Sequence, residues 1–159
     1  MFLWFVATSV LAVRYVFRDP RFDYRLLIVG ALLPDAVDVL FGGARVLHTL
    51  TASVALMTLI MVVTKRGSAR RRRLLPFAIG FFMHLVFDGA FANTDVFWWP
   101  FTGTSFADAR LPVAERGVVN VILEVVGAAG VVWIVRRHGL TGRDARRRFL
   151  ATGELVEVD

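Results

Sequence analysis

The sequence contains no cysteine, which removes disulfide bridges and thiolate metal sites from consideration. Any metal held by this chain must therefore take nitrogen and oxygen ligands. The first residues also lack the basic n-region and small-residue cleavage pattern of a signal peptide, so the stretch from Phe2 to Phe17 is expected to be retained as a helix. No internal repeat and no boundary to a second domain is visible. Charge is scarce inside the long apolar stretches, and each exception to that scarcity needs a reason.

What the sequence does contain is apolar surface. Of 159 residues, 57% are hydrophobic, and the mean hydropathy is +0.62, too high for an ordinary water-soluble domain of this size. A helix needs roughly 20 apolar residues to cross the hydrocarbon core of a bilayer. Five segments approach that length: Phe2 to Phe17, Leu26 to Phe41, Val46 to Thr64, Leu74 to Phe91 and Gly117 to Val135, the first two being short. Helix is the expected form, because an open sheet would leave backbone groups unpaired in lipid. The predicted fold is an all-α integral membrane protein. A bundle of about five transmembrane helices occupies residues 1–140, and a charged, partly disordered cytoplasmic tail occupies 141–159.

The net charge of +6 and pI of about 11.1 could point to nucleic acid, but the basic residues lie where membrane topology puts them. Arg14, Arg18, Arg21 and Arg25 follow the first segment. Lys65, Arg66 and Arg70 to Arg73 follow the third. Arg136, Arg137, Arg143 and Arg146 to Arg148 follow the fifth. The other two connections are poor in positive charge: Gly42 to Arg45 has only Arg45, and Asn93 to Arg116 sets Asp95, Asp108 and Glu115 against Arg110 and Arg116. The positive-inside rule then gives an outside N-terminus and a cytoplasmic C-terminus. No nucleic-acid partner is expected.

A charged side chain within a bilayer costs about 2.5–3.5 kcal/mol on insertion scales. The second segment holds Leu33-Pro34-Asp35-Ala36-Val37-Asp38, whose two carboxylates share a helix face. The third opens with Arg45-Val46-Leu47-His48-Thr49. The fourth carries His84-Leu85-Val86-Phe87-Asp88, an i, i+4 pair on one face. Asn93, Asp95 and Trp98-Trp99-Pro100-Phe101 follow, and the fifth adds Asn120 and Glu124. On the charge-derived topology Asp35, Asp38, His48, His84 and Asp88 gather at the extracytoplasmic end. Imidazole nitrogen with carboxylate oxygen suits a divalent metal, zinc first, with manganese or iron as alternatives. Such a metal with an open position lowers the pKa of bound water and polarises an ester or phosphoryl oxygen. Asp35, Asp38, His48, His84 and Asp88 are the expected ligands. Asp38 and Arg45 are the expected catalytic groups, the arginine holding an anionic substrate.

Gly30-Ala31-Leu32-Leu33-Pro34-Asp35-Ala36-Val37-Asp38, Arg45 with His48-Thr49-Leu50, His84-Leu85-Val86-Phe87-Asp88-Gly89 and Trp99-Pro100-Phe101 together resemble the YdjM-like family of membrane-bound metal-dependent hydrolases. In its His-x-x-x-Asp helix that family is similar to zinc-dependent phospholipase C enzymes, which implies hydrolysis of a phosphoester or lipid. Members often carry a further histidine near the N-terminus. Here Phe2-Leu3-Trp4-Phe5-Val6 has none, which leaves a reduced metal site, a substitute ligand such as Glu124 or Asp95, or a member without activity. The competing reading is a non-enzymatic transporter or assembly factor, using the same acids as an ion or proton relay and requiring an oligomer. The expected setting is a multi-pass position in the cell membrane.

Overall fold

The computed structural model describes residues 1–19, 22–41, 43–106 and 116–156, and no strand occurs among them. Arg21, Gly42, Asp108, Arg110 and Glu115, invoked above for charge or connection, lie outside the described residues. Among the described residues there are seven α-helices: α1 (Phe2–Phe17), α2 (Tyr24–Asp38), α3 (Leu50–Val63), α4 (Ala69–Phe87), α5 (Thr94–Phe97), α6 (Val118–Arg137) and α7 (Arg143–Thr152). Short 3-10 turns cover Val39–Phe41, Val46–His48 and Ala90–Ala92. The all-helical expectation holds for the described chain.

Local chemistry sets the helix ends. The Asp23 carboxylate accepts from the backbone N–H of Arg25 at 3.2 Å and of Leu26 at 3.4 Å, satisfying donors that α2 leaves open. Burial raises the proton affinity of that carboxyl, but the Arg25 guanidinium and these two N–H groups outweigh it and hold its pKa below the ordinary value. Thr49 caps α3, its hydroxyl accepting from Ala52 N–H at 3.0 Å while donating to the Val46 carbonyl at 2.7 Å. One side chain thus starts α3 and closes the 3-10 turn that ends in His48. At the far end of α3, Arg71 donates to the Thr64 hydroxyl at 3.0 Å and to the carbonyl oxygens of Met61 and Thr64.

The crossing of α2 and α4 fixes the site. A Cβ built on Gly30 would strike the Phe77 carbonyl, and one built on Gly80 would strike the Leu27 carbonyl. The two helices touch backbone to backbone, a contact that small residues permit in membrane bundles. His84 lies one turn beyond Gly80, and Asp35 lies just over one turn beyond Gly30. The crossing therefore sets how closely they approach.

Polar contacts identify which helix ends lie together. Glu124 of α6 accepts from Leu3 N–H at 3.2 Å and Trp4 N–H at 3.4 Å, covering the open start of α1. The Trp4 indole donates to the Phe87 carbonyl at 3.1 Å. The starts of α1 and α6 thus share an end with the finish of α4. At the opposite end the chain after α7 folds back: Tyr24 N–H donates to Gly153 O at 2.9 Å, and Arg25 donates to Leu150 O at 2.6 Å. The His138 ring donates from Nδ1 to Val156 O at 2.9 Å, and Leu155 is buried. The tail expected to be partly disordered is therefore a helix and a return segment docked on the arginine-rich end as far as residue 156.

Among the described residues one helix, α6, is long and apolar enough to cross a membrane. Helix α1 is an unbroken helix of only 16 residues, and backbone breaks divide two of the other apolar runs. The run from Val46 to Thr64 is a 3-10 turn plus the 14 residues of α3, and 14 residues rise only about 21 Å. The run from Leu26 to Phe41 also ends in a 3-10 turn, and α4 opens on Arg70 to Arg73. Helix lengths by themselves therefore do not support five spans. Only 11% of the apolar window of α6 is buried, the reverse of a soluble core helix.

Candidate metal centre

Asp35, His48 and His84, with Asp88 beside His48, come together from three parts of the fold at the end of α4 opposite Arg70 to Arg73. Asp35 stands in the last turn of α2, immediately after Pro34, and His48 ends the 3-10 turn before α3. His84 and Asp88 come from the last turn and C-cap of α4, joined by Asp88 N–H donating to His84 O at 2.8 Å. All four are buried, and Asp35, 8% exposed, is the least so.

Asp35, His48 and His84 offer one ligand atom each within 4.8 Å of one another. His48 Nε2 lies 3.3 Å from Asp35 Oδ1 and 3.4 Å from His84 Nε2, and His84 Nε2 lies 3.5 Å from Asp35 Oδ1. Zinc takes nitrogen and oxygen ligands at about 2.0–2.1 Å, and a tetrahedron with that radius has edges of about 3.3–3.4 Å. The three separations match one face of it. Asp88 Oδ2 lies 4.0 Å from His48 Nε2, beside the group that Asp35, His48 and His84 form.

The opposite side of each ring fixes what faces the centre. His84 Nδ1 meets the Ala31 carbonyl at 2.7 Å, and a carbonyl only accepts, so Nδ1 carries the proton. His48 Nδ1 meets Asp38 Oδ2 at 2.8 Å and donates to it. In neutral rings both Nε2 atoms then present lone pairs to one another. Asp35 Oδ1 and Asp88 Oδ2 are buried without a hydrogen-bond donor. With both rings neutral, Asp35 Oδ1 and the two Nε2 atoms are acceptors facing one another, an arrangement that favours entry of a cation or a proton.

Asp38 occupies a different place from the one expected for a direct ligand. Its Oδ2 also accepts from Arg45 N–H at 2.8 Å, so it stands behind His48 and orients the ring. Arg45, expected to hold an anionic substrate, is exposed, its Nε donates to Phe41 O at 3.0 Å, and it is its backbone N–H that meets Asp38. The cation that reaches a site carboxylate is Arg116, with Nη1 3.2 Å from Asp88 Oδ1 and Nη2 donating to Asp88 O. Sequence spacing gave no signal for it, since 28 positions separate the partners.

The candidate substitutes for an N-terminal histidine are engaged elsewhere. Glu124 covers the start of α1, as described, and Asp95 sits in the first turn of α5. Phe5 packs against His84 with ring centroids 4.2 Å apart, closing the α1 side of the centre without offering a ligand. Asn93 caps α5, accepting from Val96 N–H at 3.4 Å. The Trp99 carbonyl accepts from Thr51, while Trp98 and Phe101 are exposed. No family model, curated protein or solved structure matches the chain.

Proposed function

We propose that this chain is a membrane-embedded, metal-dependent hydrolase, and that the resemblance to the YdjM-like family reflects a shared metal centre. The observation that carries the reading is the convergence of His48 Nε2, His84 Nε2 and Asp35 Oδ1 at separations that match one face of a zinc tetrahedron. Charge argues for a divalent ion. Asp35, Asp38 and Asp88 bring three negative charges, which Arg116 and one divalent cation balance, and a low-dielectric site favours such neutrality. Zinc fits the separations best, with manganese and iron as alternatives.

In this reading Asp35, His48, His84 and Asp88 hold the ion. Asp38 and the Ala31 carbonyl fix the two imidazole tautomers, and Arg116 fixes Asp88. A bound metal would supply Lewis acidity to activate water and polarise the ester at neutral pH. Asp35 lies at the least covered side of the centre, which assigns it the substrate-facing position. The substrate class is a phosphoester or lipid ester reached from the outer leaflet.

Membrane embedding is favoured by the outward apolar faces of α3 and α6. Val62 is 76% exposed and Val125 64% exposed, in stretches where neighbouring apolar side chains are exposed too. On this reading the five long helices alternate across the bilayer, short ones included, with the metal centre extracytoplasmic and the arginines inside.

Hydrolysis of a soluble aryl phosphoester and of a phospholipid by purified protein tests the proposal. Zinc- or manganese-loaded protein is expected to turn over at least one of them, and Asp35→Asn and His84→Ala to lose both turnover and metal. Equal turnover by chelated protein or by these variants would contradict it.

A further inference from the structure

The outward face of α3 carries a groove that the metal centre does not use. Its volume is about 780 Å³, the size of a site for one small molecule. Thr51, Ala55, Thr58 and Val62 share one helix face and form its floor, and the first three are small enough to leave a hollow. Leu50, Val54 and Leu59 flank that floor, and Trp98 and Phe101, from the turn after α5, stand over one end. Among the described residues no charged side chain lines it. The Thr51 hydroxyl donates to the Trp99 carbonyl at 2.6 Å, which satisfies the hydroxyl and pins the aromatic turn against the start of α3. The other face of α3, through Ala52 and Leu56, packs on the core beneath.

We infer that this groove seats one acyl chain of a membrane lipid whose headgroup lies at the metal centre. Position, length and polarity agree. The groove begins at Leu50, two residues on from His48, so its mouth is at most about 7 Å along the backbone from a proposed ligand. From Leu50 to Val62 the helix rises about 18 Å. One leaflet has a hydrocarbon depth of about 15 Å, half of the bilayer core, so a single chain of membrane length fills the groove from end to end. Trp98 stands at the metal-centre end, where an amphipathic ring marks the headgroup level, and Leu59 and Val62 make the far end wholly apolar. General lipid contact explains an apolar helix face but requires no hollow. Here small side chains lower the floor, and two aromatic rings wall the mouth. That the lipid is also the substrate rests on the hydrolase reading above, which it narrows from phosphoesters at large to lipids with a long chain. Lipid tails are as apolar as the groove, so seating the chain gains little from burial. Its effect is to position the ester at the centre, and substrates without the chain lose that help.

Photocrosslinking of full-length protein in phosphatidylcholine nanodiscs reads occupancy without metal or activity. The probe is a trace of phosphatidylglycerol with a diazirine at the end of one acyl chain. Label is expected to concentrate at Leu59 and Val62, well above the exposed Val125 of α6, and to saturate at one lipid per chain. Thr58→Trp fills the floor from an exposed position and should remove this label. Thr58→Val keeps the shape and should retain it, which separates blocking from misfolding. In turnover by zinc-loaded protein, Thr58→Trp is expected to lower kcat/KM for a long-chain phospholipid on the order of tenfold, as misfit in an apolar pocket does. A soluble aryl phosphoester should be turned over as before. Equal labelling of Val125 and the groove, labelling that survives Thr58→Trp, equal loss of both substrates in that variant, or a dimer whose interface covers α3 would overturn the inference. The expected labelling without turnover of either ester would contradict the hydrolase reading and keep the lipid groove.

Discussion

Asp38 and Asp35 are three positions apart and chemically identical, yet the fold gives them different tasks. Asp35 turns a donor-free oxygen toward the two histidines, whereas Asp38 receives the far side of His48 and the Arg45 amide. Asp38→Asn is therefore expected to weaken metal affinity by about 10–100-fold while stoichiometry at saturating metal survives. Asp35→Asn should lower stoichiometry itself. Metal titration monitored by competition with a chromophoric chelator separates the two, and identical behaviour of both variants would contradict the assignment. The residue types were legible in the sequence because acids and histidines within apolar runs are costly and few. Their division into ligand and orienting partner was not, since it depends on where the 3-10 turn places His48. Arg116 was illegible for a stronger reason. Its partner lies across the fold, and an arginine next to a helix start reads as a solvated charge.

Helix elements explain why the site is so compact. Gly30 and Gly80 let α2 and α4 meet at backbone distance, which carries His84 to the Ala31 carbonyl. Gly80→Ala places a methyl group against the Leu27 carbonyl and is expected to cost about 1–3 kcal/mol of stability. It should also lower metal affinity, whereas Gly67→Ala in the α3 to α4 turn, where no atom is within reach, should leave metal affinity intact. Thermal denaturation with metal titration reads both. At the other end of α2, Asp23 gives a pH dependence. Its folded pKa is below the unfolded value of about 3.9, so its contribution is fully present above that value. It is lost as pH falls from about 4 through the lower folded pKa, and Asp23→Asn should flatten the melting-temperature profile in that acid window. An unchanged profile would remove Asp23 from the account. The apolar runs located the helices well, with α1 spanning the expected residues. The breaks inside those runs escaped notice because 3-10 turns at Val39–Phe41 and Val46–His48 are as apolar as the helices they interrupt. Helix α7 went unread because its arginines make the stretch look like a solvated charged tail, although Phe149 packs against the core.

The whole molecule has two chemically opposite ends, an acid and histidine cluster at one and arginines at the other. Charge placement alone predicts that polarity, and the shared ends of α1, α4 and α6 agree with it. The absence of natural cysteine offers a direct probe of sidedness. A single cysteine at exposed Arg72 is expected to be shielded from a membrane-impermeant maleimide in intact cells, and one at exposed Asn93 to be labelled. The opposite pattern would invert the topology. At the pole where Asp35, His48 and His84 meet, X-ray absorption at the zinc edge of zinc-loaded protein reads the metal centre itself. The account predicts one zinc per chain with two imidazole nitrogens and carboxylate oxygens at about 2.0–2.2 Å, a signature lost in His84→Ala. A wild-type protein that binds no metal, or a spectrum unchanged by His84→Ala, would contradict it.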